Sequence, residues 1–203
     1  MSAVSHYPEL PLFPLGTVLF QDGLLPLQIF EPRYLDLVAR CMKEQAPFGV
    51  VLIRSGRDAR ATAEEAAPEI FDIGTAAHIV DFNQLSNGRL GITVQGGEKF
   101  RIRRVREADD HLLIGEVSYL PEEPKIGVGE EHQDLVDLLN QLMIHPGVAR
   151  LKLQIDFSDA RSVGWRLAEL LPIDAEIKQS LLQLQLPRER LQELTRLVHK
   201  LRG

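Results

Sequence analysis

The chain has 203 residues, 44% of them hydrophobic and 26% charged, which is enough for one sizeable domain or two small ones and excludes wholesale disorder. Its formal net charge of −6 sets bulk electrostatics against non-specific binding to nucleic acid or to an anionic membrane. MSAVSHYPEL at the amino terminus has no basic region leading into an apolar one, no segment reaches the roughly 20 apolar residues of a membrane helix, and the single cysteine, Cys41, cannot form an internal disulfide, so the expected compartment is the cytoplasm.

From Glu9 to Tyr34 the sequence ELPLFPLGTVLFQDGLLPLQIFEPRY sets short apolar runs between prolines and glycines. Pro11, Pro14 and Pro26 cannot donate ladder hydrogen bonds, so these runs are expected as short, curved or edge strands. Asp22-Gly23, between Phe20 and Leu24, predicts a tight hairpin. Pro32 suits the first turn of a helix, and Leu35, Val38, Ala39 and Met42 recur at i, i+3, i+4 and i+7, so a strand should run into an amphipathic helix over about 32–45. Phe30 and Tyr34 at that junction are expected to pin helix against sheet. FGVVLIR, Phe48 to Arg54, reads as a buried strand, and the polar, alanine-rich SGRDARATAEEAAP over 55–68 as a long loop, either a lid or simply irregular.

Between Glu69 and Leu120 one strand pattern follows another, punctuated by Asn87-Gly88, a strong hairpin signal, and by Asp109-Asp110. Gly96-Gly97 predicts a bulge or bend that curves its strand, as a closed or half-closed sheet requires. PEEPKIGVG, Pro121 to Gly129, reads as a linker, after which the period changes from two to 3.6. Leu135, Leu138, Leu139 and Leu142 form one helical stripe, Ser158 or Asp159 can cap a second helix and Asp174 a third, and Pro187 can begin a fourth whose apolar face is Leu191, Leu194, Leu197, Val198 and Leu201. The expected fold class is therefore α+β, with a curled antiparallel β-barrel subdomain over 1–120, carrying one helix, followed by a small helical bundle over 121–203.

Signals for catalysis are missing. Gly96-Gly97-Glu98-Lys99-Phe100 has neither the spacing nor the hydroxyl of a phosphate-binding loop, and there is no Gly-x-Ser-x-Gly elbow. The histidines do not form an HExxH pair, and Glu130-Glu131-His132 at a helix start is explained by the helix dipole without a metal. No cofactor, metal or catalytic residue is expected. Lys99, Arg101, Arg103, Arg104 and Arg106, interleaved with Phe100, Ile102 and Val105, make a basic strand that offers an RNA-contact reading. The plainer reading is a solvated strand face with Phe100 and Ile102 turned inward.

PLFPLGTVLF, then LPLQIFEPRY, a helix and the strand-like FGVVLI, together with WRLAELLPIDAEIKQSLLQLQLPRERLQELTRLV near the other end, resemble the amino-terminal substrate-binding domain of Lon-type ATP-dependent proteases and the Lon-like domain of cereblon. The two matches frame the chain from about Glu9 to Leu201. This resemblance implies a PUA-like β subdomain followed by helices, and a role in recognising or docking protein segments, or as an adaptor in protein quality control. Neither Lon's ATPase and Ser-Lys protease modules nor cereblon's zinc-bearing domain has a counterpart in the sequence, so no enzymatic activity is expected. Leu12, Phe13, Leu24 and Phe30, in the proline-rich strands, are the candidates for an apolar polypeptide-binding groove.

Overall fold

In a computed structural model, residues 7–57, 66–149 and 153–202 are described, and they form two compact units, Met1–Leu120 and Pro121–Gly203. The first unit is built on a seven-stranded sheet. Its strands are β1 (Glu9–Leu15), β2 (Leu24–Ile29), β3 (Phe48–Ser55), β4 (Glu69–Ile70), β5 (Ile73–Gln84), β6 (Leu90–Glu107) and β7 (Leu113–Tyr119), with helix α1 (Pro32–Glu44) between β2 and β3. The order β1-β7-β6-β5-β3 returns to β1 through a β1–β3 pairing, so the sheet closes on itself as a PUA-like barrel. All pairs are antiparallel except β1–β3, which is parallel.

Closure explains how prolines enter an inner strand. β1 is not at an edge: it pairs with β7 over Glu9 to Leu12 and with β3 over Leu12 to Leu15. Pro11 lies in the half bonded to β7 and Pro14 in the half bonded to β3, so each sits where only one flank has a partner and the missing N–H breaks no second ladder. β2, which carries Pro26, does pair on one flank only, with β6. The turn at Phe20–Gly23 forms, with Gly23 N–H donating to Phe20 at 3.0 Å and the positive φ carried by Asp22, yet it is no hairpin. Its flanking strands do not pair with each other because the turn is bonded across to β6 instead: Asp22 N–H donates to Gly96 O, and Gly96 N–H to Gly23 O. A Cβ at Gly96 would collide with the Phe20 carbonyl oxygen, so glycine is needed where β6 passes under the turn.

Successive residues of a strand face opposite sides of a sheet, and two cores follow from that. One holds Phe13, Ile29, Phe48, Val50, Ile92 and Val94 against Tyr34, Leu37, Val38 and Cys41 of α1. The other gathers Leu10, Leu12, Val51, Leu113 and Val117 around Phe100, whose ring fits because Gly49 and Gly74 leave no Cβ in its way. The buried face of α1 is thus Tyr34, Leu37, Val38 and Cys41, one position off the expected stripe, and Leu35, Ala39 and Met42 are exposed. Tyr34 sets that phase by stacking on Phe13 at 3.9 Å between ring centroids. Phe30 pins nothing: its side chain is 52% exposed.

The second unit contains α2 (Gln133–Ile144), the short α3 (Pro146–Ala149), α4 (Ala160–Leu170), α5 (Ala175–Gln183) and α6 (Pro187–Arg202). The Asp159 carboxylate accepts from Arg161 N–H and caps α4. Leu135, Leu139, Val163, Leu167, Leu181, Leu191 and Leu194 are buried in it. Among them lies a fully buried ion pair, Arg190 with Glu123, at 2.6 and 2.7 Å. The same guanidinium donates to the carbonyls of Leu181 and Leu184, so its charge is matched and its donors are satisfied.

Candidate polypeptide-binding surface

The long strand β6 divides the sheet. Its second half, from Lys99, belongs to the closed barrel with β7, whereas its first half, Leu90 to Gln95, is flanked by β2 on one side and the far end of β5 on the other. The result is a three-strand extension in the order β2, β6, β5. Cross-strand register assigns its faces. Leu25, Val94 and Ile79 form one row of the inner face and Leu27, Ile92 and Phe82 the next, while Leu24, Gln95 and His78, then Pro26, Thr93 and Asp81, form rows of the outer face.

The candidate apolar residues separate on this frame. Leu12 and Phe13 are core residues, in different clusters, and are withdrawn from any accessible groove. Adjacent strand residues point to opposite sides, and both sides of β1 are covered, one by the Phe100 cluster and the other by Tyr34 of α1. Leu24 and Phe30 remain accessible, 38% and 52% exposed, at the two ends of β2, with the Arg89 guanidinium 5.1 Å from the centre of the Phe30 ring. The sequence reading missed Val80 and Phe82 of β5, which are 50% and 59% exposed. The only local trace of them is the short alternation Val80-Asp81-Phe82-Asn83; their exposure follows from β3 ceasing to pair with β5 at Phe48–Ala77, which the sequence does not mark.

Beside this end of β5, Met42, Gln45 and Ala46 at the end of α1 wall a cleft of about 330 Å³ with Ile79, Val80 and Phe82 on its other side. Cys41 also lines it, and burial pushes its thiol pKa up, which keeps it protonated and unreactive. A second cleft, of only about 70 Å³, lies between Phe30, Leu27 and Tyr34.

The basic strand presents no open row of cations. Lys99 is buried. Arg101 pairs with Asp72 at 2.7 Å, Arg104 lies 4.0 Å from Glu116, and Arg106 makes a bidentate pair with Glu9, whose hydrogen bond raises the guanidinium pKa. Arg103 donates to Ser118 Oγ at 3.0 Å and stands over the Tyr7 ring. A register shift between Ile102 and Arg104 breaks the alternation there, so Arg103 and Arg104 are both exposed. His132 is buried with Nδ1 3.3 Å from Thr195 Oγ1, and no group of potential metal ligands occurs among the described residues. Residues 58–65 of the expected loop lie outside the described residues.

Comparison with known proteins agrees with this architecture. The family model of the ATP-dependent protease La (LON) substrate-binding domain matches residues 9–200. The crystal structure of a Lon N-terminal domain protein from Xanthomonas campestris superposes with a TM-score of 0.75 at 35% identity, over 93% of this chain and 97% of that one. The N-terminal domain of a Mycobacterium avium complex Lon protease shares the fold, with a TM-score of 0.60 at 15% identity and 92% of this chain covered. Lon protease 2 of Syntrophobacter fumaroxidans is 32% identical over 117 residues, and the Lon protease of Brevibacillus choshinensis is 24% identical over 197. The matches take in 57% and 92% of this chain but 14% and 24% of those proteins, so the chain spans a quarter or less of their length.

Proposed function

Since the chain belongs to the family of the ATP-dependent protease La (LON) substrate-binding domain, we propose that it binds other polypeptides through their unfolded, apolar segments and performs no chemistry of its own. The observation that carries this reading is the three-strand extension, where Leu24, Phe30, Val80 and Phe82 stay accessible although the cores beside them are filled. Large apolar side chains left accessible along both flanks of one sheet extension are candidates for contact with an apolar partner. Residues 9–200 are accounted for by a substrate-binding domain alone, which supports recognition, or an adaptor role in protein quality control, over catalysis. A cytoplasmic location fits a chain whose one thiol, Cys41, is buried and free.

The alternative, RNA binding along the basic strand, has weaker support, because Arg101 and Arg106 are neutralised by Asp72 and Glu9, and Lys99 is inaccessible. The test is a titration of the full chain against a reduced, carboxymethylated polypeptide that cannot fold, read by fluorescence anisotropy, with its native disulfide-bonded form and a single-stranded RNA as comparisons. Saturable binding to the unfolded form alone, weakened by Leu24→Asp with Phe30→Asp in a protein of unchanged circular dichroism, is the expected outcome. Binding to RNA without binding to the polypeptide would reverse the assignment.

A further inference from the structure

We infer that the free flank of β5 from Val80 to Gln84 is a strand-addition site, taking an extended polypeptide segment that carries an apolar residue at every second position. The inference rests on the polypeptide-binding reading and specifies how that binding is made. β3 pairs with β5 only as far as Phe48–Ala77, since Pro47 offers no N–H to continue the ladder and the chain turns away into α1. Beyond that point, among the described residues, β5 is bonded to β6 alone.

The direction of its unused groups follows from the hairpin. Leu85 N–H donates to Arg89 O, and in an antiparallel ladder bonded and non-bonded pairs alternate, so Asn83–Gly91 is a bonded pair while Gln84–Leu90 and Phe82–Ile92 are not. The N–H and C=O of Phe82 and Gln84 therefore face away from β6. One of these donors is occupied by a stand-in: Phe82 N–H donates to the carboxylate of its neighbour Asp81 at 2.8 Å. An incoming carbonyl would take that place.

An unpaired main-chain row specifies its occupant, because only an extended backbone offers donors and acceptors at the matching repeat. The side chains add a pattern. The inner-face row Leu27, Ile92, Phe82 ends in a ring that is 59% exposed, and the 330 Å³ cleft walled by Met42 lies beside it. A strand added to β5 would lengthen that row by one residue, covering Phe82 and filling the cleft, so its inward positions must be apolar. The flank of β2, the other free edge of the extension, is interrupted by Pro26 and is blunted in the usual way. No proline interrupts β5, and its register shift between Ile79 and Asp81 lies before the regularly paired stretch Asp81 to Gln84 that carries the unused groups of Phe82 and Gln84.

The test uses the isotope-labelled full chain and a short synthetic peptide of alternating valine and threonine with lysine at each end, beside a copy N-methylated at every residue. The peptide is expected to bind saturably and to slow amide exchange of Phe82 and Gln84 by about tenfold or more, and the methylated copy, which keeps the side chains but has no main-chain N–H to donate, to bind about tenfold more weakly. Asp81→Ala, which uncovers the Phe82 donor, should tighten binding, and Gln84→Pro, which removes a donor without touching the β6 ladder, should weaken it. If a variant misfolds, the exchange measurement on the unaltered chain still decides. Equal binding of both peptides, protection confined to other residues, or protection of Phe82 and Gln84 that appears with protein concentration alone would overturn the inference while leaving polypeptide binding standing. No binding of either peptide or of an unfolded polypeptide would remove both.

Discussion

Phe13 and Phe30 show how little residue type alone says about role. Both are phenylalanines in the same proline-rich segment, yet Phe13 is sealed between Tyr34 and Phe48 and Phe30 stands in solvent. Phe13→Ala is expected to destabilise the first unit by about 3–5 kcal/mol, and Phe30→Ala by less than about 0.5 kcal/mol, in urea unfolding followed by circular dichroism. Comparable losses would mean that the register of β1 is different. Asp156, in the second unit, accepts from Ser158 Oγ and N–H and from Lys125 Nζ, and those hydrogen bonds lower its pKa from 3.8 to about 2. Because the folded value is the lower one, the interaction stabilises the fold above about pH 3.8 and is lost as pH falls through about 2. Carboxyl NMR titration should place Asp156 near the lower value, and Ser158→Ala should move it back up. At this scale the sequence was half legible: Asp159 as a cap and Tyr34 as the pin of helix against sheet could be read from it, whereas Phe30, expected beside Tyr34 in that role, is exposed. The burial of Leu12, Phe13 and Lys99 could not, since it depends on which strands flank them.

At the scale of elements, local turn chemistry and long-range pairing compete, and β6 decides the outcome. Asn87-Gly88 gives the hairpin its sequence predicts, with Gly88 at positive φ, because β5 and β6 have no better partner on that flank. Asp22-Gly23 makes an equally good turn but no hairpin, because Gly96 of β6 is bonded to both of these residues. Gly96→Ala should therefore be destabilising by about 1–3 kcal/mol, a cost read by the same denaturation, whereas Gly16→Ala, where the added Cβ meets nothing, should be near neutral. Among the helices, Arg190 and Glu123 make the largest wager. Arg190→Ala strands a buried carboxylate and is expected to lose about 3–5 kcal/mol, while Arg190→Met combined with Glu123→Leu should recover most of it. If the double variant is as unstable as the single one, carbonyl bonding to Leu181 and Leu184 matters more than the charge pair.

For the whole molecule, the α+β class and PUA-like barrel were readable from strand punctuation and family resemblance together. Closure through β1–β3, a parallel contact between strands separated by a helix, left no local mark in the sequence, because register across a long connection is set by the whole core. The accessible edge of β5 was hidden for the same reason: an edge exists only by virtue of what fails to pair with it. The recognition of unfolded polypeptide that we propose for the β2-β6-β5 extension can be read out by an amide NMR titration of the labelled chain with an unstructured apolar polypeptide. Saturable shifts gathered on residues 24–30 and 78–84 are predicted. A folded sample that shows no shifts, or shifts only within residues 121–203, would contradict the account.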